Sequence, residues 1–412
     1  MSATSVRPAE STAPARHTAA APEISSRCAR ELSSVPAAEW DALITPGSVP
    51  LRHGYLSAWE KSELRGLRSR PVLAYGAASA APLAACPGYF YDLDVPTVRV
   101  PKTAPAVGLI RRLVPNFLYA RTYELGSPTP LTNPLLVADA RLRARAVPVL
   151  IEAGIEEGEA AEADLILVQN FTSRTGPAAD ELSGKGFAGV AIPPTAVVHL
   201  GFSSFEDYLS AMRAQYRRRA QQTLKRSNAL AVEHLEDFAA EADELARLWR
   251  AIFERAQEVK REVLTPAFFR AVSDLEEASV LLTRRDDGTI ASFALLLDDA
   301  PWLSFVQCGF EADAGRNEGA YFRLLLEIVR FGIERGYEQV DLGLTTLEPK
   351  LDVGAVPVPL FAWIRHRNPL FQRIILALAE GPLSPGEVNP RRVFKEPPPS
   401  AEELVSRRGL LV

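Results

Sequence analysis

From Phe205 onward, large apolar residues recur three and four positions apart: Phe205, Tyr208, Leu209, Met212, Tyr216 and Leu224. That spacing puts them on one helical face and predicts a single helix from Ser203 to about Ser227. Ser203 and Ser204 stand three residues ahead of Glu206 and Asp207, a double capping signal at its start. A second run covers Asp237–Val259, with Phe238, Leu245, Leu248, Trp249, Ile252 and Phe253 on its apolar face. A third helix begins after Thr265-Pro266, with proline at the first helical position. The pattern then changes to short apolar runs. Val280–Thr283, Ile290–Leu297 and Trp302–Phe310 read as strands, parted by Asp287-Gly288 and by Asp298–Pro301. A polar loop, Glu311–Glu318, leads through Gly319 into an apolar helix, Ala320–Arg335, which Gly336 stops. A short strand, Gln339–Gly343, follows. This order predicts an α+β fold with a mixed sheet, neither a sandwich nor a doubly wound fold.

The first half gives a fainter version of the same parts. Helices are expected near Pro36–Glu39 and over His53–Leu64, and strands at Pro71–Tyr75 and Tyr89–Leu93. Residues 95–135 are proline-rich and give no clear element. A helix over Ala140–Ala153 and a strand over Leu165–Val168 follow, and the strand ends in Gln169-Asn170-Phe171. Polar groups at the end of a buried strand are a common place for function. A chain of 412 residues fits two or three domains. The expected division is a disordered tail at 1–30, a first unit at 31–200, a second at 201–380 and an extended tail at 381–412. The 32 prolines support it: between Gly201 and Asp299 only Pro266 occurs.

Charge and rare residues narrow the chemistry. The net charge of −5 argues against a whole-surface nucleic-acid binder. Cys28, Cys86 and Cys308 lie far apart, and the five histidines form no metal-binding spacing, so neither a zinc site nor a disulfide scaffold is expected. With no apolar leader and no run of about 18 apolar residues, a cytoplasmic chain is expected. One local reversal stands out. Arg213, Arg217, Arg218, Arg219, Lys225 and Arg226 share a helix with no acid among them. They either grip phosphates or pair with acids such as Glu236, Asp237 and Glu241.

The loop Arg316-Asn317-Glu318-Gly319-Ala320-Tyr321 opens a helix, and such a loop turns backbone N–H groups and the helix dipole towards an anion. It resembles the Q/R-x-x-G-x-G/A loop of GNAT acyltransferases. Arg316 and Gly319 match, while Tyr321 stands where glycine or alanine is usual. The runs SFEDYLSAMRAQYRRRAQQTLKR and GAYFRLLLEIVRFGIERGYEQVDLG, with Lys350–Gly354, are similar to the FemAB-like, peptidoglycan-biosynthesis-type branch of that superfamily. The likeness covers Ser203–Gly354 well and Ser48–Leu200 loosely. It implies two GNAT-like units, no permanently bound cofactor, and acyl-CoA or aminoacyl-tRNA as donor. The acceptor would be the amine of a small molecule, a lipid or a cell-wall precursor.

On that resemblance, Arg316, Asn317, Gly319 and Ala320 would hold the donor phosphates, helped by Arg217 and Arg218. Lys350 would either bind donor phosphate or stabilise the oxyanion formed when an amine attacks the acyl carbonyl. Asp341 is a candidate base for the acceptor ammonium, and Tyr321 a candidate acid for the leaving group. Asp92 and Asn170 would line an acceptor pocket from the first half. His199 and Cys308 read as structural. Gly309 would permit a bulge, so that a splayed strand could receive the donor's amide groups. The apolar run Asn368–Glu380, flanked by Arg365 and Arg367 and containing Arg373, is either a buried terminal helix or a surface that meets a membrane. An N-acyltransferase is the expected function. The alternatives are an aminoacyl-tRNA-dependent transferase and a non-catalytic lipid or nucleic-acid binding protein.

Overall fold

The computed structural model describes residues 24–77, 79–94, 109–110, 112–116, 119–126, 133–255, 262–311, 319–380, 385 and 388–407. The first half supplies strands Ile24–Cys28 (β1), Arg68–Ser69 (β2), Val72–Gly76 (β3), Pro82–Cys86 (β4), Gly88–Asp94 (β5), Tyr119–Leu125 (β6), Leu136–Val137 (β7), Leu165–Phe171 (β8) and Ala188–His199 (β9). Its helices are Ala37–Asp41 (α1), His53–Trp59 (α2), Arg143–Ala160 (α3) and Pro177–Gly184 (α4). The second half adds Phe205–Ala211 (α5), Ala214–Arg226 (α6), Ala231–Leu235 (β10), Ala242–Arg255 (α7) and Pro266–Ser273 (α8). It continues through Ala278–Arg284 (β11), Ile290–Asp299 (β12), Trp302–Phe310 (β13), Ala320–Glu334 (α9), Gln339–Asp341 (β14) and Leu347–Asp352 (α10). Val356–His366 (β15), Pro369–Glu380 (α11) and Ala401–Arg407 (α12) complete it.

The fold is mixed α+β. One sheet of 11 strands runs in the order β10-β11-β12-β13-β14-β9-β15-β8-β6-β5-β2, and a smaller sheet holds β1-β3-β4-β7. Within the large sheet the same motif occurs twice. β13 pairs in parallel with β14 across α9, and β6 pairs in parallel with β8 across α3. The two motifs exchange their last strands. β9 follows β8 in the chain but pairs with β14, and β15 follows β14 but pairs with β8. β9 and β15 also pair with each other, so the sheet runs unbroken across residue 200.

Three clusters fill the interior. Val198, Leu200, Leu303, Phe305 and Val340 of the sheet pack against Leu324, Leu325 and Ile328 of α9. Tyr89 and Tyr91 of β5 join Trp59, Phe268, Phe269 and Phe293 in a cluster shared by both halves. Tyr123, Leu125, Ile166 and Val168 pack under Val147, Leu150 and Ile151 of α3.

Three expectations change. The helix expected over 203–227 is two helices, because Met212 and Arg213 are extended. The break is made by the far end of the chain: Arg213 N donates to Val393 O (2.8 Å), Lys395 N donates to Ala211 O (3.0 Å), and Met212 forms a bridge with Phe394. Val393 and Phe394 are buried in the core beside α5, so this part of the C-terminal tail is a core element. Ile24–Cys28, inside the span expected to be a disordered tail, pairs with β3 along its whole length. The apolar run at 369–377 is not buried.

Candidate active site

The site begins where a parallel ladder stops. β13 and β14 pair at Trp302–Gln339, Leu303–Val340 and Ser304–Asp341. β14 ends there, while β13 runs on for six more residues to Phe310. Beyond Asp341 the chain follows β9 instead: Leu342 N donates to Ala196 O (2.7 Å), and Ala196 N donates to Gly343 O (3.3 Å). Gly343 adopts φ 77, a left-handed conformation in which a side chain would be strained. β13 bends away through a bulge, since Leu295 pairs with Gln307 and Leu296 with Phe305, which leaves Val306 as the extra residue. The bulge thus lies three residues before Gly309. The two strands splay into a V with Ser304 and Asp341 at its apex.

Lys350 spans that opening. It lies in α10 and is only 3% exposed. Its Nζ donates to Gly343 O on one wall (3.0 Å). On the other wall is Cys308, whose thiol burial pushes up to about 11, with the Lys350 charge pulling it back down. A buried ammonium beside the end of a strand ladder suits an acyl oxygen that gains negative charge. Asp341 is buried at the apex, and its Oδ1 accepts from Thr195 Oγ1 (2.6 Å) and from Gly343 N (2.9 Å). It therefore pins the very turn whose carbonyl holds Lys350. Thr346, at the start of α10, is left-handed at φ 55, a strain that functional turns often carry.

At the far end of β13 stands the N-terminus of α9. Gly319 there is left-handed (φ 67), and among the described residues no side chain caps the helix; a helix start of this kind suits an anion. The Arg226 guanidinium is close: a Cβ added to Gly319 would lie 3.3 Å from its Nη2. Ala320 is buried, and the Tyr321 ring packs on Phe310 at 5.5 Å. Arg316 and Asn317 lie outside the described residues.

The basic helix divides its labour. Arg219 pairs with Asp352, which also pairs with Arg391 of the tail, and Arg213 Nε donates to Phe394 O (3.1 Å). Arg217 rests its Nη1 on the carbonyls of Ser210 and Met212, at 3.4 Å each. Among the described residues, no acid pairs with Arg218, Lys225 or Arg226. Two of the acids that could have neutralised this face are engaged elsewhere: Glu241 pairs with Arg284, and Asp237 Oδ1 accepts from Ala239 N.

Lys350 and Asp341 meet at Gly343, where the β13–β14 ladder stops, and the start of α9 follows the far end of β13. Asp92 and Asn170 do not join it. They lie on β5 and β8, five and three strand steps from β14, or about 24 and 14 Å across the sheet. Asp92 pairs with Arg65 (3.0 Å). Asn170 is left-handed at φ 75 and buried, and neither of its amide atoms has a partner among the described residues. Sequence reasoning missed Thr195, Gly343 and Asp352. Thr195 meets Asp341 only through the β9–β14 pairing, and Asp352 meets Arg219 of α6 and Arg391 of the tail only through the tertiary fold, so the local sequence announces neither; Gly343 N bonds Asp341 two residues away, a local turn contact.

Comparisons with known proteins agree with this geometry. Residues 210–349 match the family described as an acetyltransferase (GNAT) domain. The crystal structure of FemX covers 82% of this chain and 98% of its own, at 15% identity and a TM-score of 0.53. A tandem GNAT protein from the clavulanic acid biosynthesis pathway covers 84% of this chain and 99% of its own, at 13% identity and a TM-score of 0.46. A curated relative from Mycobacterium tuberculosis, named "Putative 8-amino-7-oxononanoate synthase 2", is 26% identical over 325 residues, 77% of this chain. The chain spans about two fifths of that relative's length (42%). The ladder that stops at Ser304, the helix start at Gly319 and the matched span coincide: residues 210–349 match the acetyltransferase (GNAT) domain family, within a fold similar to that of FemX.

Proposed function

We propose that the protein is an N-acyltransferase that moves an acyl group from a thioester such as acyl-CoA to the amine of a small-molecule or lipid-like acceptor. The observation that carries this reading is the gap between β13 and β14, spanned by the buried Lys350 ammonium. The extended thioester arm would lie along the free edge of β13. Its phosphates would meet the open N–H groups at Gly319 and Ala320 and the side chain of Arg226, with Arg217 and Arg218 at longer range. Arg316 and Asn317 would complete that cradle.

The neutral amine attacks the acyl carbonyl, and the electron pair of the C=O bond moves onto oxygen. Lys350 Nζ donates to that oxyanion, the nitrogen, cationic after attack, gives its extra proton to water, and collapse of the oxyanion expels the thiolate and leaves a neutral amide. Asp341 serves the step by fixing the turn at Gly343, and Tyr321, beside the arm, delivers a proton to the thiolate. No acyl-enzyme is needed. Cys308, with its thiol pushed up to about 11, holds little thiolate at neutral pH.

The exposed cations of α6 favour a second reading, in which the donor is an aminoacyl-tRNA. Thermal shift separates the readings. A bound donor at a hundred times its dissociation constant adds about 2.7 kcal/mol of stability. Stabilisation by coenzyme A or acyl-CoA supports the first reading. Stabilisation by charged tRNA alone, lost on RNase treatment, supports the second. No response to either leaves a non-catalytic binding protein. Amide formation from acyl-CoA by wild type, lost in Lys350→Met, completes the test.

A further inference from the structure

Helix α11 is amphipathic, yet none of residues 369–377 is buried. Leu370, Phe371 and Ile374 are 63, 48 and 46% exposed. The helix is held from its other side. Gln372 Nε2 donates to Ile364 O (3.1 Å), and Gln372 Oε1 accepts from His366 N (2.7 Å). A second apolar segment is exposed as well, with Leu109 at 64%, Leu113 at 87% and Val114 at 52%.

Both segments leave the same end of the sheet. Asp164 ties them together: its Oδ2 accepts from Arg121 N near the start of β6 (3.0 Å), and its Oδ1 pairs with Arg367, just ahead of α11 (2.8 Å). The first segment leads directly into β6, where Tyr119 N donates to Asn116 O (3.0 Å).

Within these segments the charges are basic, although α11 ends in Glu380. Residues 109–116 and 365–377 contain Arg111, Arg112, Arg365, Arg367 and Arg373 and no Asp or Glu, in a chain of net charge −5. Arg365 and Arg367 are neutralised by Glu159 and Asp164. Among the described residues, Arg112 and Arg373 have no acidic partner.

We propose that this end of the sheet docks on an anionic lipid membrane. Leu370, Phe371, Ile374 and Leu113 would enter the boundary between headgroups and acyl chains, and Arg112 and Arg373 would face lipid phosphates. A second copy of the chain fits poorly, because a two-fold contact would set like charges against each other. Among the described residues no helix is long and apolar enough to cross a membrane, so the contact lies on the surface. The inference is independent of the donor chemistry.

The test is flotation of the full chain with phosphatidylcholine vesicles, with and without about one third phosphatidylglycerol. Wild type should float with the anionic vesicles and about tenfold less with the neutral ones, and salt should weaken the binding. The triple variant Leu370→Glu, Phe371→Glu, Ile374→Glu should lower binding about tenfold with an unchanged melting temperature, since the residues are exposed. Arg373→Glu should remove most of the preference for phosphatidylglycerol. Should the triple variant fail to fold, Arg373→Glu decides alone, and an unaltered lipid preference overturns the proposal. Absence of flotation by wild type, or full binding by a folded triple variant, also overturns it. So does a wild-type dimer that the triple variant turns into a monomer, because a second copy would then own this surface.

Discussion

At the β6–α3 junction and at the β13–α9 junction the chain builds the same parts and finishes them differently. The β13–β14 ladder ends at Ser304, and β13 runs on past it. The β6–β8 ladder continues to Leu125, the last residue of β6, so no wedge opens. Glu124 then closes the end: it is fully buried and accepts from Tyr89 Oη, from Gln169 Nε2 and from Tyr91 Oη (2.8 Å). The helix starts differ too. Left-handed Gly319 leads directly into α9, whereas a 3-10 turn at Ala140–Leu142, capped by Asp139 Oδ1 accepting from Arg141 N (2.9 Å), leads into α3. One topology thus supports a reactive gap or a closed brace, and the choice rests on where one ladder ends and which residue precedes one helix.

The largest effect that would sharpen this contrast is at Lys350. Lys350→Met should lower the rate of amide formation about 10²–10³-fold, the usual cost of losing one oxyanion donor, while circular dichroism stays unchanged. A rate within a few-fold of wild type would break the assignment of the open junction. Glu124→Leu should act in the opposite sense. It strands two tyrosine hydroxyls and an amide, at a cost of about 3 kcal/mol in denaturant unfolding, yet donor binding in the surviving folded protein should match wild type. Loss of donor binding with unchanged stability would make the closed junction a site after all.

Arg226→Ala should weaken coenzyme A binding by about 1 kcal/mol, more at low salt than at high salt, as calorimetry would show. Asp139→Ala, its counterpart in the first unit, should leave coenzyme A affinity unaltered. Cys308→Ala should change the rate little, since a thiol pushed up to about 11 is a poor nucleophile. The smallest effect concerns pH. Burial holds His199 and His234 below their usual range, so the unfolded chain binds protons that the folded one resists. Their contribution is complete above about pH 6.5 and is lost as pH falls below it, so melting temperature should decline from pH 7 to 5 and rise when His234 is replaced by Phe. A flat profile would remove both histidines from the account.

Much of the second unit was legible because its signals are local. Thr265 caps α8, accepting from Phe268 N, as Thr265-Pro266 predicts. Gly319 and Gly336 bracket the helix at 320–334, and Asp287-Gly288 turns between β11 and β12. The first unit was less legible. β4 and β7 are short, and β6 sits inside the stretch that gave no pattern. Its buried Glu124 breaks the apolar alternation that marks a strand.

The sequence by itself determined the elements of the second unit, its glycine-started helix and the position of Lys350 just after a short strand. Capping, turn chemistry and periodicity act over a few residues and can be read directly. Tertiary structure alone decided that Lys350 is buried in a gap, that Asp341 holds the turn beneath it, and that the helix at 203–227 breaks in two. Each of those depends on partners far away in the chain: Thr195 on β9 for Asp341, Cys308 on β13 facing Lys350, and Val393 on the tail for Arg213. A buried polar group must find a partner somewhere, and which distant segment supplies it is fixed only when the chain closes on itself.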